Sequence, residues 1–133
     1  MIMNPTAIKH VVVDGHSLTL ESFVAIARYN ATVELAPSAL EAMKKSRALA
    51  EKIAAEGRVT TGFGEFQKVA VPKEMSNQLS TNLILSHCTA AGEPYADEIV
   101  RGMMLLRANA LCGGVSGVRP ILVEMLLEML NKG

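Results

Sequence analysis

Reactive side-chain types are concentrated in two stretches of the sequence. The first is residues 60–64 (Thr-Thr-Gly-Phe-Gly), where two glycines flank Phe63. Because glycine tolerates backbone conformations closed to other residues, such a loop lets the main chain approach a ligand closely. The second is Ser86-His87-Cys88, within a segment that we predict to be helical over residues 72–91. A tight loop that leads into a helix with polar groups is where we expect the site.

The Ser86-His87-Cys88 triplet does not by itself predict a catalytic nucleophile. Adjacent helical residues point about 100° apart, so we expect neither Ser86 nor Cys88 to pair with His87 as nucleophile and base. No third group is suitably marked elsewhere in the sequence. Two interpretations of His87 stay open, a polar group that lines a pocket and a core histidine hydrogen-bonded to the backbone. The residues alone favour the second.

The other sequence patterns that could indicate a chemical function are weak. The glycine loop lacks the Gly-Lys-Ser/Thr ending of a phosphate loop and the spacing of a dinucleotide fingerprint. Cys112 precedes two glycines without a neighbouring base or cation, so we expect it to be inert. Cys88 and Cys112 lie far apart with no Cys-x-x-Cys spacing. We therefore predict reduced thiols, with neither a metal site nor a disulfide framework.

Length and composition narrow the class of protein. The chain has 133 residues, and we treat residues 1–133 as a single domain. Its 13 basic and 13 acidic residues balance, which argues against a nucleic-acid or membrane partner. Residues 1–10 lack the apolar core of a signal peptide, and charged residues interrupt the longest apolar segments. We expect a soluble, cytoplasmic protein.

Hydrophobic periodicity and capping residues predict a mainly α fold with one or two short strands near the N-terminus. Residues 11–13 predict a strand, and Thr19 is the expected N-cap of the first helix. Gly57 is the expected C′ residue of the second helix. The helices are predicted over residues 19–29, 37–56, 72–91, 97–111 and 120–130. The apolar face of the second helix is predicted to comprise Leu40, Met43, Leu49 and Ile53.

The last predicted helix is apolar around almost its whole circumference. Within residues 121–130, Glu124 and Glu128 are the polar residues. A helix of this kind normally lies inside a bundle, but a chain of 133 residues leaves few elements to surround it. We therefore expect it to pack against other subunits or against the remainder of a larger protein.

Several segments, in this order, resemble the aromatic amino acid ammonia-lyases, and most closely those of the histidine type. Asp14-Gly15 and residues 18–28 resemble the start of such enzymes. Residues 61–64 (Thr-Gly-Phe-Gly) are similar to their active-site loop. Residues 82–87 (Asn-Leu-Ile-Leu-Ser-His), with the Gly-Glu-Pro of residues 92–94, resemble the helix on the substrate side. Residues 116–119 (Ser-Gly-Val-Arg) match a further signature, so the resemblance covers essentially the whole chain.

The resemblance implies a homotetrameric, mostly helical lyase that eliminates ammonia from an α-amino acid to leave an α,β-unsaturated acid. Ammonia is a poor leaving group and the β-proton is weakly acidic, so an electrophile and a base must act together. In the family the electrophile is a methylidene-imidazolone made from an internal Ala-Ser-Gly, and the base is a tyrosine just ahead of the Thr-Gly-Phe-Gly loop. The histidine that matches His87 contacts the substrate's side chain, and Ser86-His87 resembles histidine or tyrosine specificity rather than phenylalanine specificity. The implied substrate-binding residues are His87, Phe63, Gly62, Gly64 and Leu83.

Two departures from the family pattern limit what this chain is expected to do alone. No Ala-Ser-Gly occurs in it, and the position of the tyrosine falls on Gly57. We therefore assign it no catalytic residue, no metal and no cofactor of its own. We predict an inactive N-terminal portion of a histidine-type enzyme that forms urocanate from histidine as a homo-oligomer. The alternatives are a portion of a tyrosine ammonia-lyase or aminomutase, and a non-catalytic helical oligomerisation module.

Overall fold

A computed structural model describes residues 3–56, 63–66 and 68–133. Within these ranges the chain is mainly α with two short strands, which confirms the predicted fold class. Two compact units are distinguished, one comprising Met1–Leu49 with Tyr95–Gly133 and the other Ala50–Pro94. The elements are β1 (His10–Val13), α1 (Leu20–Tyr29), β2 (Thr32–Leu35), α2 (Pro37–Ala55), α3 (Ser76–His87), α4 (Asp97–Cys112) and α5 (Pro120–Lys132).

The two strands of the first unit form a parallel pair in which Val11 lies opposite Val33. Parallel neighbours need a crossover connection, and α1 provides it. Strand β1 contains the predicted strand residues, whereas β2 was not predicted as a separate element. Its sequence does alternate, with Val33 buried between the exposed Thr32 and Glu34. This period of two is the signal from which a half-buried strand can be predicted.

Helix α1 begins at the predicted N-cap. The Thr19 Oγ1 accepts a hydrogen bond from the backbone N–H of Ser22 at 3.2 Å. The helix ends at Tyr29, and the following C-cap residue, Asn30, adopts a left-handed conformation with φ 54°. Its central residues are buried, and the carbonyl of Ile26 accepts a hydrogen bond from Nη2 of the buried Arg101 on α4 at 3.0 Å. Both predicted ends of this helix are confirmed.

The loop after β1 approaches the C-terminal end of α4 very closely. Gly15 has φ +91°, and its backbone N–H donates to Asn109 Oδ1 at 3.1 Å. A Cβ at Gly15 would lie 2.6 Å from the backbone nitrogen of Gly113. A residue with a side chain cannot occupy this position without displacing the main chain, because such a distance is far inside van der Waals contact.

Helix α5 packs beside β2 and begins with Pro120 at its first position. The Asn131 side chain bonds both backbone groups of Val33, accepting from its N–H at 2.8 Å and donating to its carbonyl at 2.9 Å. This helix buries Val123, Leu127 and Leu130, which join the core of the first unit. The apolar residues on its exposed side are Ile121, Leu122, Met125 and Met129.

The predicted apolar face of α2 is wrong in part. Met43 is buried as predicted, together with Ala39 one turn earlier, but Leu49 is 59% exposed. Leu49 follows Leu40 by nine residues, about two and a half helical turns, and therefore lies on the opposite side. The expected C′ residue, Gly57, falls outside the ranges that the structure describes. Nowhere within those ranges is a helix long and apolar enough to span a bilayer.

Candidate functional site

Helix α3, in the second unit, carries most of the candidate site and is shorter than predicted. It extends from Ser76 to His87 after a 3-10 turn at Lys73–Met75, whereas the prediction extended it over residues 72–91. Several of its polar side chains bond its own carbonyls, as Ser80 Oγ does to Ser76 O at 3.1 Å. Periodicity shows where apolar residues recur and not where backbone hydrogen bonding stops, so it overestimated the length of the helix.

A cavity of about 500 Å³ lies against one face of α3 within the second unit. Four of the helical residues that line it follow the spacing i, i+3, i+4 and i+7, which places them on one side of the helix. The lining is mostly apolar, with a polar end formed by the last residues of α3. The lining residues are Phe63, Val69, Val71, Leu79, Asn82, Leu83, Ser86 and His87.

Phe63 and His87 contact each other at the polar end of this cavity. Their ring centroids are 5.5 Å apart and their planes are nearly perpendicular, at 86°. An edge-to-face arrangement of this kind is a favoured geometry for aromatic pairs. Gly64, directly after Phe63, has φ +60° and opens a short 3-10 turn. Glycine adopts this conformation readily, so the positive φ explains why a glycine follows Phe63.

Adjacent helical residues were expected not to face each other, but the side chains of Ser86 and His87 are within hydrogen-bond distance, so that expectation is wrong for this pair. The Ser86 Oγ lies 2.9 Å from His87 Nδ1, and Leu83 O lies 3.0 Å from the same nitrogen. The Ser86 hydroxyl also donates to Leu83 O at 3.1 Å. Neighbouring side chains meet here because both turn back onto the carbonyl of Leu83. The hydroxyl therefore bonds the helix backbone as well as the ring, and the pair does not form a nucleophile with a dedicated base.

The structure brings together three of the five predicted substrate-binding residues: Phe63, Leu83 and His87 line the same cavity. Gly64 adjoins Phe63 in the chain, and Gly62 lies outside the described residues. Sequence reasoning did not assign Asn82 and Ser86 to the site, although the helical spacing from Leu79 and Leu83 is a signal that could have found them. Val69 and Val71 carry no comparable signal, because they lie in a segment without periodicity.

The core histidine interpretation, which the residues alone favoured, is only partly right. The ring of His87 does bond a backbone carbonyl, as that interpretation requires. The residue is nevertheless exposed and lines the cavity rather than a packed core. Both features coexist because the carbonyl it bonds belongs to the end of a helix whose residues are not buried.

A cavity of about 590 Å³ in the first unit is a weaker candidate for a site. Its charged residues include Arg28 and Glu98, whose side chains form an ion pair at 2.7 Å. The two charges largely neutralise each other, and no sequence motif converges on this cavity. Among the residues that the structure describes, no cluster of three or more potential metal ligands is present.

Cys112 matches the prediction of an inert thiol. It is buried in the first unit, and burial together with the nearby negative charge of Asp14 raises its pKa to about 11. A thiol with such a pKa is almost entirely protonated at neutral pH and is therefore a poor nucleophile. Cys88, at the end of α3, is exposed.

A profile of the aromatic amino acid lyase family matches residues 18–133. The chain belongs to the aromatic amino acid lyase family. The matched span includes Phe63 and all of α3, so the cavity lies in the part of this family member that carries the family's pattern. The resemblance inferred from the motifs is thereby confirmed.

Known proteins of the aromatic amino acid lyase family resemble this chain over most of its length. Histidine ammonia-lyase from Alkaliphilus metalliredigens is 45% identical over 129 residues, which are 94% of this chain and 25% of that protein. Tyrosine aminomutase from Streptomyces globisporus gives a TM-score of 0.85 at 38% identity, with 92% of this chain and 24% of that chain covered. Histidine ammonia-lyase from Trypanosoma cruzi gives 0.78 at 33% identity, with 93% and 24% covered. This chain thus spans about a quarter of the length of these relatives.

Proposed function

We propose that this chain is the N-terminal portion of a histidine-type ammonia-lyase and that the cavity beside α3 receives the substrate's side chain. One observation carries the proposal. Phe63, Leu83 and His87, which the family resemblance implies as substrate-binding residues, line a single cavity in a member of that family. The reaction is the elimination of ammonia from histidine to give urocanate.

The cavity walls suit an aromatic side chain of a substrate. Val69, Val71, Leu79 and Leu83 provide apolar surface against which a planar ring can pack and from which it displaces water. Phe63 adds the surface of an aromatic ring, and His87 supplies a polar group at one end. A few polar groups in a mostly apolar cavity are what fixes the orientation of a small ligand.

The family's electrophile does not fit the residues of this chain. A methylidene-imidazolone is formed from Ala-Ser-Gly, and that tripeptide does not occur in the 133 residues. The role of these residues is therefore in binding. Support for histidine as the substrate comes from the curated relatives, since the histidine ammonia-lyase from Alkaliphilus metalliredigens is 45% identical over 94% of this chain. Among solved structures the tyrosine aminomutase is more similar than the histidine ammonia-lyase from Trypanosoma cruzi, at 38% against 33% identity, so tyrosine remains the alternative substrate. The free cysteines support a cytoplasmic location.

An assay of the complete product of the gene that encodes this sequence tests the proposal. The unsaturated acid formed from each amino acid is followed by its absorbance. We expect urocanate to form from histidine faster than the corresponding acids form from tyrosine or phenylalanine. We expect His87→Ala to lower kcat/KM for histidine by about 10- to 100-fold, since a polar contact and its packing are lost together. His16→Ala is the control, because His16 is an exposed residue of the other unit. Full activity of His87→Ala would remove the assignment of that residue.

A second candidate function is a helical oligomerisation module without catalysis. The observation in its favour is the exposed apolar surface of α4 and α5 in the first unit. Met103 and Leu106 on α4 and Met125 and Met129 on α5 are all about half exposed. Exposed apolar patches of this kind mark protein–protein contacts. The assay above separates the two candidates, because a module of this kind produces no ammonia from any of the three amino acids.

A further inference from the structure

The ring of His87 is held on one side by two oxygen atoms of its own helix. Its Nδ1 lies 3.0 Å from Leu83 O and 2.9 Å from Ser86 Oγ. The same hydroxyl lies 3.1 Å from Leu83 O, so the three atoms form a closed triangle at the end of α3. The positions of two hydrogen atoms decide whether these three contacts are attractive.

The hydrogens available to these three atoms favour one tautomer of the neutral ring. A carbonyl oxygen only accepts, so Leu83 O is attracted to Nδ1 if that nitrogen carries a hydrogen. The Ser86 hydroxyl then donates to Leu83 O and accepts from Nδ1–H, which makes all three contacts favourable. With the hydrogen on Nε2 instead, Ser86 would donate to Nδ1, and Leu83 O would face two lone pairs at 3.0 and 3.1 Å. Such contacts between acceptors are repulsive.

We propose that the Leu83 carbonyl and the Ser86 hydroxyl hold His87 as the Nδ1–H tautomer, which presents Nε2 as a hydrogen-bond acceptor to the substrate's side chain that the family resemblance already assigns to this histidine. Ser86 is thus a positioning residue, since it acts through His87. The identification of the ligand as an amino acid substrate rests on the function proposed above. The assignment of the tautomer does not.

The free acceptor on His87 gives a physical reason for the histidine or tyrosine specificity that the resemblance implies. His87 lines the cavity, and its Nδ1 is engaged by the helix end, so Nε2 is the nitrogen left for a ligand. An acceptor in a mostly apolar cavity favours side chains with a hydrogen-bond donor, such as an imidazole N–H or a phenol O–H. A plain phenyl ring offers no donor and leaves the acceptor without a partner, which costs binding free energy.

Nitrogen-15 NMR of the 133-residue chain tests the tautomer directly. At alkaline pH we expect Nδ1 of His87 to resonate as a protonated nitrogen and Nε2 as an unprotonated one. Ser86→Ala should lower the ratio of the Nδ1–H to the Nε2–H tautomer by roughly two- to tenfold, the equivalent of one hydrogen bond. Ser86→Thr keeps a hydroxyl and should restore most of the ratio.

Ser80→Ala is the matched control for this experiment. It removes a hydroxyl that donates to Ser76 O at 3.1 Å in the same helix, and it does not touch His87. It should leave the tautomer ratio unchanged. A wild-type ring that is mainly the Nε2–H tautomer would overturn the proposal, as would a ratio that Ser86→Ala leaves unaltered.

A pair of probes tests what Nε2 recognises. Both p-cresol and toluene present the same ring, but only p-cresol carries a donor. We expect p-cresol to shift the Nε2 resonance of His87 and toluene to shift it far less, and Ser86→Ala to reduce the difference. Equal shifts would overturn the recognition of a donor. An inactive gene product with these NMR results intact would instead refute the proposed function and leave the positioning of His87 in place.

Discussion

The carboxylate of Asp14 accepts two backbone hydrogen bonds immediately after β1. The N–H groups of His16 and Ser17 each donate to its Oδ1 at 2.8 Å. Both bonds favour the ionised form, so they lower the pKa of Asp14 from 3.8 to about 2. The residue therefore holds the turn in a pH-dependent way, a role that the resemblance of Asp14-Gly15 to the family did not indicate.

The lowered pKa of Asp14 predicts a specific loss of stability in acid. Because the pKa is lower in the folded than in the unfolded chain, the ionised group stabilises the fold above about pH 4. This contribution is lost as the pH falls through about 2. We expect Asp14→Asn, which keeps an accepting oxygen without the charge, to unfold at a lower temperature than wild type at pH 7. The gap should close between pH 4 and pH 2. Thermal unfolding followed by circular dichroism measures it, and a gap independent of pH would contradict the prediction.

Individual site residues were predictable where a motif marked them. Phe63 and His87 belong to segments that resemble a family pattern, and both line the cavity. Ser86 was noticed but judged from the angle between neighbouring residues alone. That angle describes the directions of the Cα–Cβ bonds, whereas a short hydroxyl and a rotatable imidazole can still meet above a shared carbonyl. The tautomer of His87 follows from that carbonyl, so it could not be read from residue types.

At the scale of elements, helix starts were more predictable than helix extents. Thr19 and Pro120 mark their helices through side-chain capping and a fixed φ, which are local effects. Apolar periodicity does not mark where α3 begins and ends, and β2 is too short for its alternation to stand out. For α2, the spacing in the sequence does place Leu49 on the opposite side from Leu40, whereas which of the two sides is buried depends on the neighbours that cover the helix.

The close contact between the loop after β1 and the end of α4 predicts that one methyl group added at Gly15 will strongly reduce stability. Gly15→Ala would place a Cβ 2.6 Å from the Gly113 nitrogen, so the loop or the helix end must move. Gly92 has the same φ of +91° but has no atom within 4 Å of its Cβ position. Gly92→Ala therefore incurs only the backbone strain, about 1–2 kcal/mol.

We expect Gly15→Ala to lower the free energy of unfolding by more than Gly92→Ala does, by about 3 kcal/mol or above, since overpacking adds to the backbone strain. Denaturant unfolding measures both variants. The amide signals of β1 and α4 report the first unit, which contains Gly15, and those of α3 report the second unit, which contains Gly92. Equal losses in the two variants would mean that the close approach to Gly113 is relieved without cost.

At the scale of the whole molecule, the order of motifs allowed the family to be predicted, while the environment of the last helix stayed undetermined. The apolar circumference of α5 led to the expectation that something beyond its own chain covers it. In the structure, one side of α5 joins the core and the other side is exposed. Hydrophobicity predicts that a surface will be covered, but the identity of the covering partner depends on surfaces that the sequence of one helix does not describe.

The exposed side of α5 predicts that the isolated 133-residue chain associates with itself. Met125 and Met129 lie one turn apart and are 48% and 52% exposed, so they offer a continuous apolar surface. We expect sedimentation velocity at micromolar concentrations to show reversible dimers or larger species. The double variant Met125→Gln/Met129→Gln should shift the chain toward monomer, because glutamine keeps the helix propensity and removes the apolar surface. Its free energy of unfolding should change by no more than about 1 kcal/mol, as both side chains are already half in water.

Leu49→Gln is the matched control for the association of α5. Leu49 is 59% exposed on α2, so its replacement also removes one exposed apolar side chain from a helix. If association depends on the surface of α5, the control should sediment as the wild type does. A wild-type chain that is monomeric at every concentration would show that exposed methionines on α5 do not suffice for contact. Equal dissociation by Leu49→Gln and the double variant would mean that association follows general hydrophobicity, since removal of any exposed apolar side chain would then have the same effect.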